Sequence, residues 1–307
     1  MKRILWILAV AGAVLSSCTS KSSEPANKAE QVIAALNDPA SRYVVVVCHR
    51  GDWRNYPENS LGAIESVIRM GADIVEIDLK LTKDSVLVLS HDRTCNRMTT
   101  GKGDISTMTY DSLATFNLKT AHNVAIPGTR ITTLQEALEA CKDRIVINVD
   151  QGYQYYNLVV KLTDALDMTD QILIKGKKAR EVVAREMEGS RMMYMPIIDI
   201  QKPKGKDLFA QYEDWYAQTG EKPLAYEVCF SELNEEVEAC CQKVIAQGSK
   251  LWINTLWASL CGGYEDDAAF EGDPDKVYGK ILDLGTSIIQ TDRPELLIGW
   301  LKKQGRR

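Results

Sequence analysis

Eight short apolar runs recur along this chain with an amphipathic stretch between most of them, and nothing from residue 43 to residue 303 has the composition of a linker. The strand-like runs are Tyr43–Cys48, Ile74–Leu79, Ile145–Asp150, Ile172–Lys175, Met192–Ile198, Leu224–Phe230, Leu251–Leu256 and Ser287–Gln290. Helical spacing marks Ser60–Met70, Leu134–Ala140, Tyr156–Leu166, Ala179–Glu188, Asn234–Gln247 and Asp275–Leu284. Eight strands alternating with helices over about 260 residues predict an α/β fold, a (β/α)8 TIM barrel in one domain. A doubly wound open sheet is the competing arrangement, but no Gly-x-Gly-x-x-Gly turn follows the first run. One irregularity breaks the pattern. From Val86 to about Thr133 an extra strand-like run (VLVLSHD) and a long insert replace the helix expected after the second strand. Such inserts lie at the C-terminal mouth of a barrel, where sites are built.

The N-terminus reads differently. Lys2 and Arg3 precede an apolar run from Ile4 to Leu15 that is too short to span a bilayer as a mature helix. It ends in Leu15-Ser16-Ser17-Cys18, which resembles the lipobox of a bacterial lipoprotein. The resemblance implies cleavage before Cys18, a lipid on its sulfur, and export to the periplasm or cell surface on that anchor. Residues 1–17 are then a signal peptide and residues 18–42 a lipidated cysteine and flexible tether, with a helical patch at Ala29–Leu36. The barrel domain follows over 43–307. Cleavage removes two of the 37 basic residues and moves the net charge from −5 to about −7. A net-negative chain without Lys/Arg runs excludes nucleic acid as a partner. Lipidation of Cys18 leaves seven of the eight cysteines, with no Cys-x-x-Cys spacing, and most read as small buried hydrophobes.

Chemistry concentrates between residues 49 and 92. His49-Arg50-Gly51 ends the first strand, where barrels place reactive side chains. An imidazole there exchanges protons near neutral pH, and a guanidinium grips two oxygens of a phosphoryl group. Glu76 and Asp78 close the second strand with a spacing of two, so both project from one face. Adjacent carboxylates repel unless a cation lies between them, and hard oxygen donors suit Ca²⁺ or Mg²⁺. His91-Asp92 follows the extra strand and offers a second proton-transfer group. Asp150 ends the run IVINVD and is the candidate third metal ligand.

These motifs carry a resemblance. His49-Arg50-Gly51, Pro57-Glu58-Asn59-Ser60, Glu76-Ile77-Asp78, Leu81-Thr82-Lys83-Asp84 and His91-Asp92, in this order and spacing, resemble the glycerophosphodiester phosphodiesterase family. Ile131-Thr132-Thr133-Leu134, Trp252-Ile253-Asn254 and Thr291-Asp292-Arg293-Pro294 extend the resemblance over residues 44–300. It implies His49 and His91 as the catalytic pair, Arg50 as a phosphate contact, and Glu76 and Asp78 as metal ligands. Where the family has a third Glu ligand this chain has Asp150, one methylene shorter. Where the family has a phosphate-facing lysine two residues later, it has Gly152. Lys175, on the next strand, is expected to supply that cation at the mouth. Glu58 is expected to orient His49 or Arg50 in the substrate site, Asn59 to support the same shell or cap the first helix, and Trp252 to line the mouth. Tyr153, Tyr155 and Tyr156 either wall the alcohol pocket or simply pack. His122 reads as incidental, and Glu227 and Asp199 have no evident role.

The function implied is metal-dependent hydrolysis of a small glycerophosphodiester to glycerol 3-phosphate and an alcohol, with a two-histidine acid/base mechanism. The alternatives are an inositol- or sugar-linked phosphodiester as substrate, and a lipoprotein that binds phosphodiesters without cleaving them.

Overall fold

The computed structural model describes residues 27–200 and 222–307. The expected signal peptide, Cys18 and the first residues of the tether lie outside them. The described chain runs α1 (Lys28–Asn37), β1 (Val45–Cys48), α2 (Leu61–Met70), β2 (Ile74–Leu81), β3 (Leu87–Leu89), α3 (Leu134–Cys141), β4 (Val146–Asp150), α4 (Tyr156–Ala165), β5 (Ile172–Gly176), α5 (Arg180–Glu186) and β6 (Met193–Ile200). It resumes with β7 (Ala225–Phe230), α6 (Glu235–Ala246), β8 (Lys250–Asn254), α7 (Pro274–Asp283), β9 (Ile288–Thr291) and α8 (Pro294–Lys303). The strand order is β1-β9-β8-β7-β6-β5-β4-β2, all parallel, and β1 pairs with β2 to close the ring. An eight-stranded barrel results, as the alternation predicts, and the open sheet is excluded. β3 adds antiparallel to the outer end of β2, with Lys80 opposite Val88.

The strand period of two sorts each run into an inside and an outside. Val46, Val75, Ile147, Ile174, Val228, Ile253 and Ile289 face the helices. Val45, Val47, Ile74, Val146, Leu173, Met195, Ala225, Trp252 and Ile288 fill the lower interior instead. Continuing inward-facing positions towards the C-terminal ends, the rungs turn polar: His49, Glu76 and Asp78, Asn148 and Asp150, Lys175, Glu227, Asn254 and Gln290 are all on this face. The insert forms its own small core of Val88, Cys95, Ile105, Leu113, Leu118 and Ile131.

Three expectations need correction. The tether expected over 18–42 includes a packed helix. Asn27 caps α1, and Ala29, Val32 and Leu36, spaced along one face, bury against the lower barrel interior. The open end of an apolar barrel needs a cover, and α1 supplies it. The buried Asp73 carboxylate fastens this end, accepting from Lys28 Nζ at 2.9 Å, Tyr43 Oη at 2.8 Å and the C-terminal Arg307. Second, Ser60 rather than Asn59 caps α2, taking the Ala63 N–H at 3.1 Å. Third, Trp252 does not line the mouth. It is wholly buried in the lower interior, donating its indole N–H to Asn254 Oδ1 at 2.7 Å. The seven cysteines among the described residues are all buried, as most were expected to be. No helix among the described residues is long and apolar enough to cross a membrane.

Candidate active site

The register places β2 and β4 side by side, with Glu76 opposite Asn148 and Asp78 opposite Asp150. Carboxylate oxygens of Glu76, Asp78 and Asp150 lie within 4.8 Å of one another. Each is aimed by a fixed donor. The Arg50 N–H meets Glu76 Oε2 at 2.8 Å, the Asn59 amide meets Asp78 Oδ2 at 3.0 Å, and the Gln151 N–H meets Asp150 Oδ1 at 2.8 Å. Arg50, Asn59 and Gln151 all hold left-handed backbone, with φ of 52°, 56° and 54°. That conformation is uncommon for arginine and glutamine, though asparagine adopts it more readily. Gly51 is required beside them, because at φ 73° its added Cβ would lie 2.9 Å from Ala63 Cβ.

Burial pushes the Glu76 carboxyl well above the usual carboxylate range, and Asp78 and Asp150 push it further against Lys175. Three carboxylates crowded so closely, two of them almost wholly buried, are unfavourable by themselves. A hard divalent cation relieves that repulsion, so the donor set fits Ca²⁺ or Mg²⁺. Burial opposes charge on Asp150 as well, but Lys175 and the Gln151 N–H outweigh it and hold its carboxyl below the usual range.

The two histidines face this cluster from different elements. His49 Nδ1 lies 2.8 Å from Asp292 Oδ1, and both groups are buried. With a carboxylate at Nδ1, that nitrogen carries the proton and Nε2 is left for the mouth. Asp292 also accepts from Trp53 Nε1 at 2.5 Å, and its N–H meets Asp266 Oδ2 at 2.6 Å. Asp266 further accepts from Thr255, Thr291 and Tyr278 at 2.8–2.9 Å. Burial raises its carboxyl to about 6 in spite of these donors. His91 sits on the insert, 43% exposed, with Nδ1 at 2.9 Å from its neighbour Asp92. Arg97 forks onto Asp92 at 2.8 and 3.0 Å, and holds its carboxyl well below the usual range.

Glu58 lies beside Arg50, with Arg50 Nη1 3.3 Å from both of its oxygens. Arg97 also binds it through two contacts at 2.8 Å. Lys175 differs from expectation. Its Nζ lies 2.9 Å from Glu227 and 3.9 Å from Asp150, over the Trp252 ring and inside the barrel. Burial disfavours its charge, yet Asp150, Glu227 and Glu76 together hold the ammonium protonated. It therefore offsets the carboxylates from within rather than standing free at the mouth. Tyr153 packs on Tyr156 and Tyr194, bordering a separate groove. His122 is exposed on the insert.

A cavity of about 750 Å³ opens beside His49 and Arg50, walled by Trp53, Trp257, Arg97 and Lys119. Trp257 is 44% exposed, with its ring edge-on to His49 at 6.0 Å. Sequence reasoning missed Arg97, Asp292, Trp53 and Trp257. Asp292 had a signal in the Thr-Asp-Arg-Pro motif, but Arg97 and Trp257 stand in segments without diagnostic spacing.

The glycerophosphoryl diester phosphodiesterase family model matches residues 49–213, more than half the chain. The chain belongs to that family. A second model, described as a domain of unknown function, matches residues 194–301, so this family member carries a second signature over the latter half of its barrel. Among curated relatives, the glycerophosphodiester phosphodiesterase of Caldanaerobacter subterraneus subsp. tengcongensis is 36% identical over 34% of this chain and 44% of its own length. Glycerophosphodiester phosphodiesterase 1 of Bos taurus is 36% identical over 46% of this chain and 41% of its own. The chain thus matches less than half the length of these relatives. Among solved structures, a glycerophosphoryl diester phosphodiesterase from Parabacteroides distasonis superposes with a TM-score of 0.73 at 22% identity, covering 92% of this chain and 93% of that one. An Oleispira antarctica phosphodiesterase in complex with its product sn-glycerol-3-phosphate gives a TM-score of 0.62 at 18% identity, over 84% and 96% of the two chains. Both structures share the barrel fold with this chain.

Proposed function

We propose that this protein hydrolyses glycerophosphodiesters to glycerol 3-phosphate and an alcohol, with a divalent cation and two histidines. The observation that carries the reading is convergence. Three oxygen donors within 4.8 Å, two carboxylate-paired imidazoles and an arginine meet at one barrel mouth in a member of this family. Family relatives named for this activity support it.

Glu76, Asp78 and Asp150 would hold the cation, which supplies charge neutralisation and polarisation of the phosphoryl group when bound. Arg50 binds a phosphoryl oxygen while Glu58 and Asp78 keep its guanidinium in place. One histidine takes the nucleophile's proton and the other delivers a proton to the leaving oxygen. Asp292 and Asp92 keep each ring oriented with a nitrogen towards the mouth. The lipobox-like Leu15–Cys18 supports a further part of the reading, that the exported chain is anchored by a lipid on Cys18. Mass spectrometry of the N-terminus in wild type and Cys18→Ser tests it, and an unmodified wild-type cysteine overturns it.

The deciding assay follows glycerol 3-phosphate release from glycerophosphocholine, glycerophosphoethanolamine and glycerophosphoinositol. It is run with Ca²⁺, with Mg²⁺ and with EDTA. Release that needs the cation and is lost in His49→Ala and His91→Ala is the expected result. A folded protein that cleaves none of them with either cation overturns the hydrolase reading.

A further inference from the structure

The cations around the carboxylate cluster are unequally committed. Arg50 lies between Glu58 and Asp78, Arg97 between Glu58 and Asp92, and Lys175 between Glu227 and Asp150. Lys80 differs from all three. It is the next inward-facing rung of β2 after Glu76 and Asp78, so it rises above the carboxylates on their own face. Its ammonium donates to the Gln151 side-chain oxygen and to the Leu79 carbonyl at 3.3 Å, both neutral acceptors. Among the described residues it makes no ion pair.

Gln151 links this lysine to the chemistry. Its amide donates to Asp78 Oδ1 at 3.2 Å and to the His91 carbonyl at 3.3 Å, so the Lys80 ammonium is one side chain from a candidate metal ligand and from the His91 segment. On the β4 side the corresponding position is Gly152, where a Cβ would fall 2.4 Å from Val149 Cγ1, so a side chain there requires Val149 to shift.

We infer that Lys80 is a substrate-binding residue, exchanging its amide partner for a phosphoryl oxygen of the diester and of the glycerol 3-phosphate product. The inference rests on the phosphodiester reading given above. The carboxylates of the mouth outnumber its ion-paired cations, so an approaching anion meets net negative charge unless the divalent cation and a free side chain offset it. A hydrogen bond to a neutral amide is weaker than one to a charged phosphoryl oxygen, and a lysine stem is flexible enough to make the change. In this chain the role falls to a strand other than the one that carries Gly152.

The test uses the purified full chain and its Lys80→Met and Lys80→Arg variants. Ca²⁺ is titrated by calorimetry, then sn-glycerol 3-phosphate is titrated at saturating Ca²⁺, and kcat and KM are measured. Lys80→Met should weaken glycerol 3-phosphate binding about tenfold or more, with kcat/KM falling in step, while Lys80→Arg recovers most of it. Ca²⁺ affinity should stay the same or tighten, because a positive charge beside the carboxylates is gone. Unchanged glycerol 3-phosphate affinity in Lys80→Met overturns the inference. So does a parallel loss of Ca²⁺ affinity, which makes Lys80 only a prop for Gln151 and Asp78. A wild-type chain that binds Ca²⁺ but no glycerol 3-phosphate overturns the phosphodiester reading and this inference with it.

Discussion

His49 and His91 face the same carboxylate cluster, but the protein holds them by unlike means. His49 ends a barrel strand, and its partner Asp292 comes from the end of β9, across 243 residues of sequence. Asp292 is itself tied to Trp53 and to Asp266, whose four hydrogen bonds are all buried. His91 belongs to the insert and leans on its own neighbour Asp92, with both side chains partly exposed. Arg97 connects that pair onward to Glu58. A ring fixed by the barrel keeps its direction at low entropic cost. A ring fixed by a surface loop depends on solvent-screened contacts.

Removing either ring tests the comparison most severely. His49→Ala and His91→Ala should each lower kcat by about 10²–10⁴-fold, the range for general acid/base groups. A loss confined to His49→Ala would reduce the pair to one working histidine. The partners should separate the two regions further. Asp292→Asn should cost about 10–100-fold in kcat, as for buried orienting carboxylates, and Asp92→Asn less than about tenfold. Equal effects would erase the distinction between a barrel-held and a loop-held ring.

Asp266 gives a pH-dependent handle on the His49 side alone. Its carboxyl is raised to about 6 in the folded chain, chiefly by burial, against about 4 when unfolded. Between these values the folded state binds the extra proton, so this contribution to stability falls as pH rises from about 4 to 6. It amounts to at most about 3 kcal/mol, fully lost above 6. Denaturant melts of Asp266→Asn should lack that slope relative to wild type, and its kcat should drop several-fold as Asp292 loosens. A wild-type slope in the variant removes Asp266 from the argument. The smallest effect on turnover is expected far from both rings. Leu36→Ala in α1 should cost about 2–4 kcal/mol of stability with kcat unchanged at a temperature where the variant stays folded. A specific loss of kcat there would couple the floor of the barrel to its mouth.

Much of this arrangement is legible in the sequence. The alternation of runs located the eight barrel strands to within one or two residues at most ends, because a strand buried on both faces leaves a dense apolar signature. The same alternation put Glu76, Asp78 and Asp150 at strand ends, and the structure brings them together. The helix α1 was visible only as a patch within a polar segment, since its partner surface is a ring of eight strands that no local window contains. Trp252 was misplaced because a motif names a strand but not the height of a residue within the barrel. Arg97 and Trp257 left no trace at all. Their importance comes from the folding back of the insert and the β8 loop over the mouth.

What the sequence determined by itself was whatever depends on spacing along the chain: the barrel class, the inward face of each strand, and the residue types available for chemistry at strand ends. Tertiary structure alone decided which charges cancel. Lys175 is tied to Glu227, Arg50 and Arg97 share Glu58, and Lys80 is left against neutral groups. The reason is physical. Backbone periodicity is set by neighbours one to four residues apart, whereas electrostatic pairing is set by distance through space, and only the folded chain brings those side chains within 4 Å of one another.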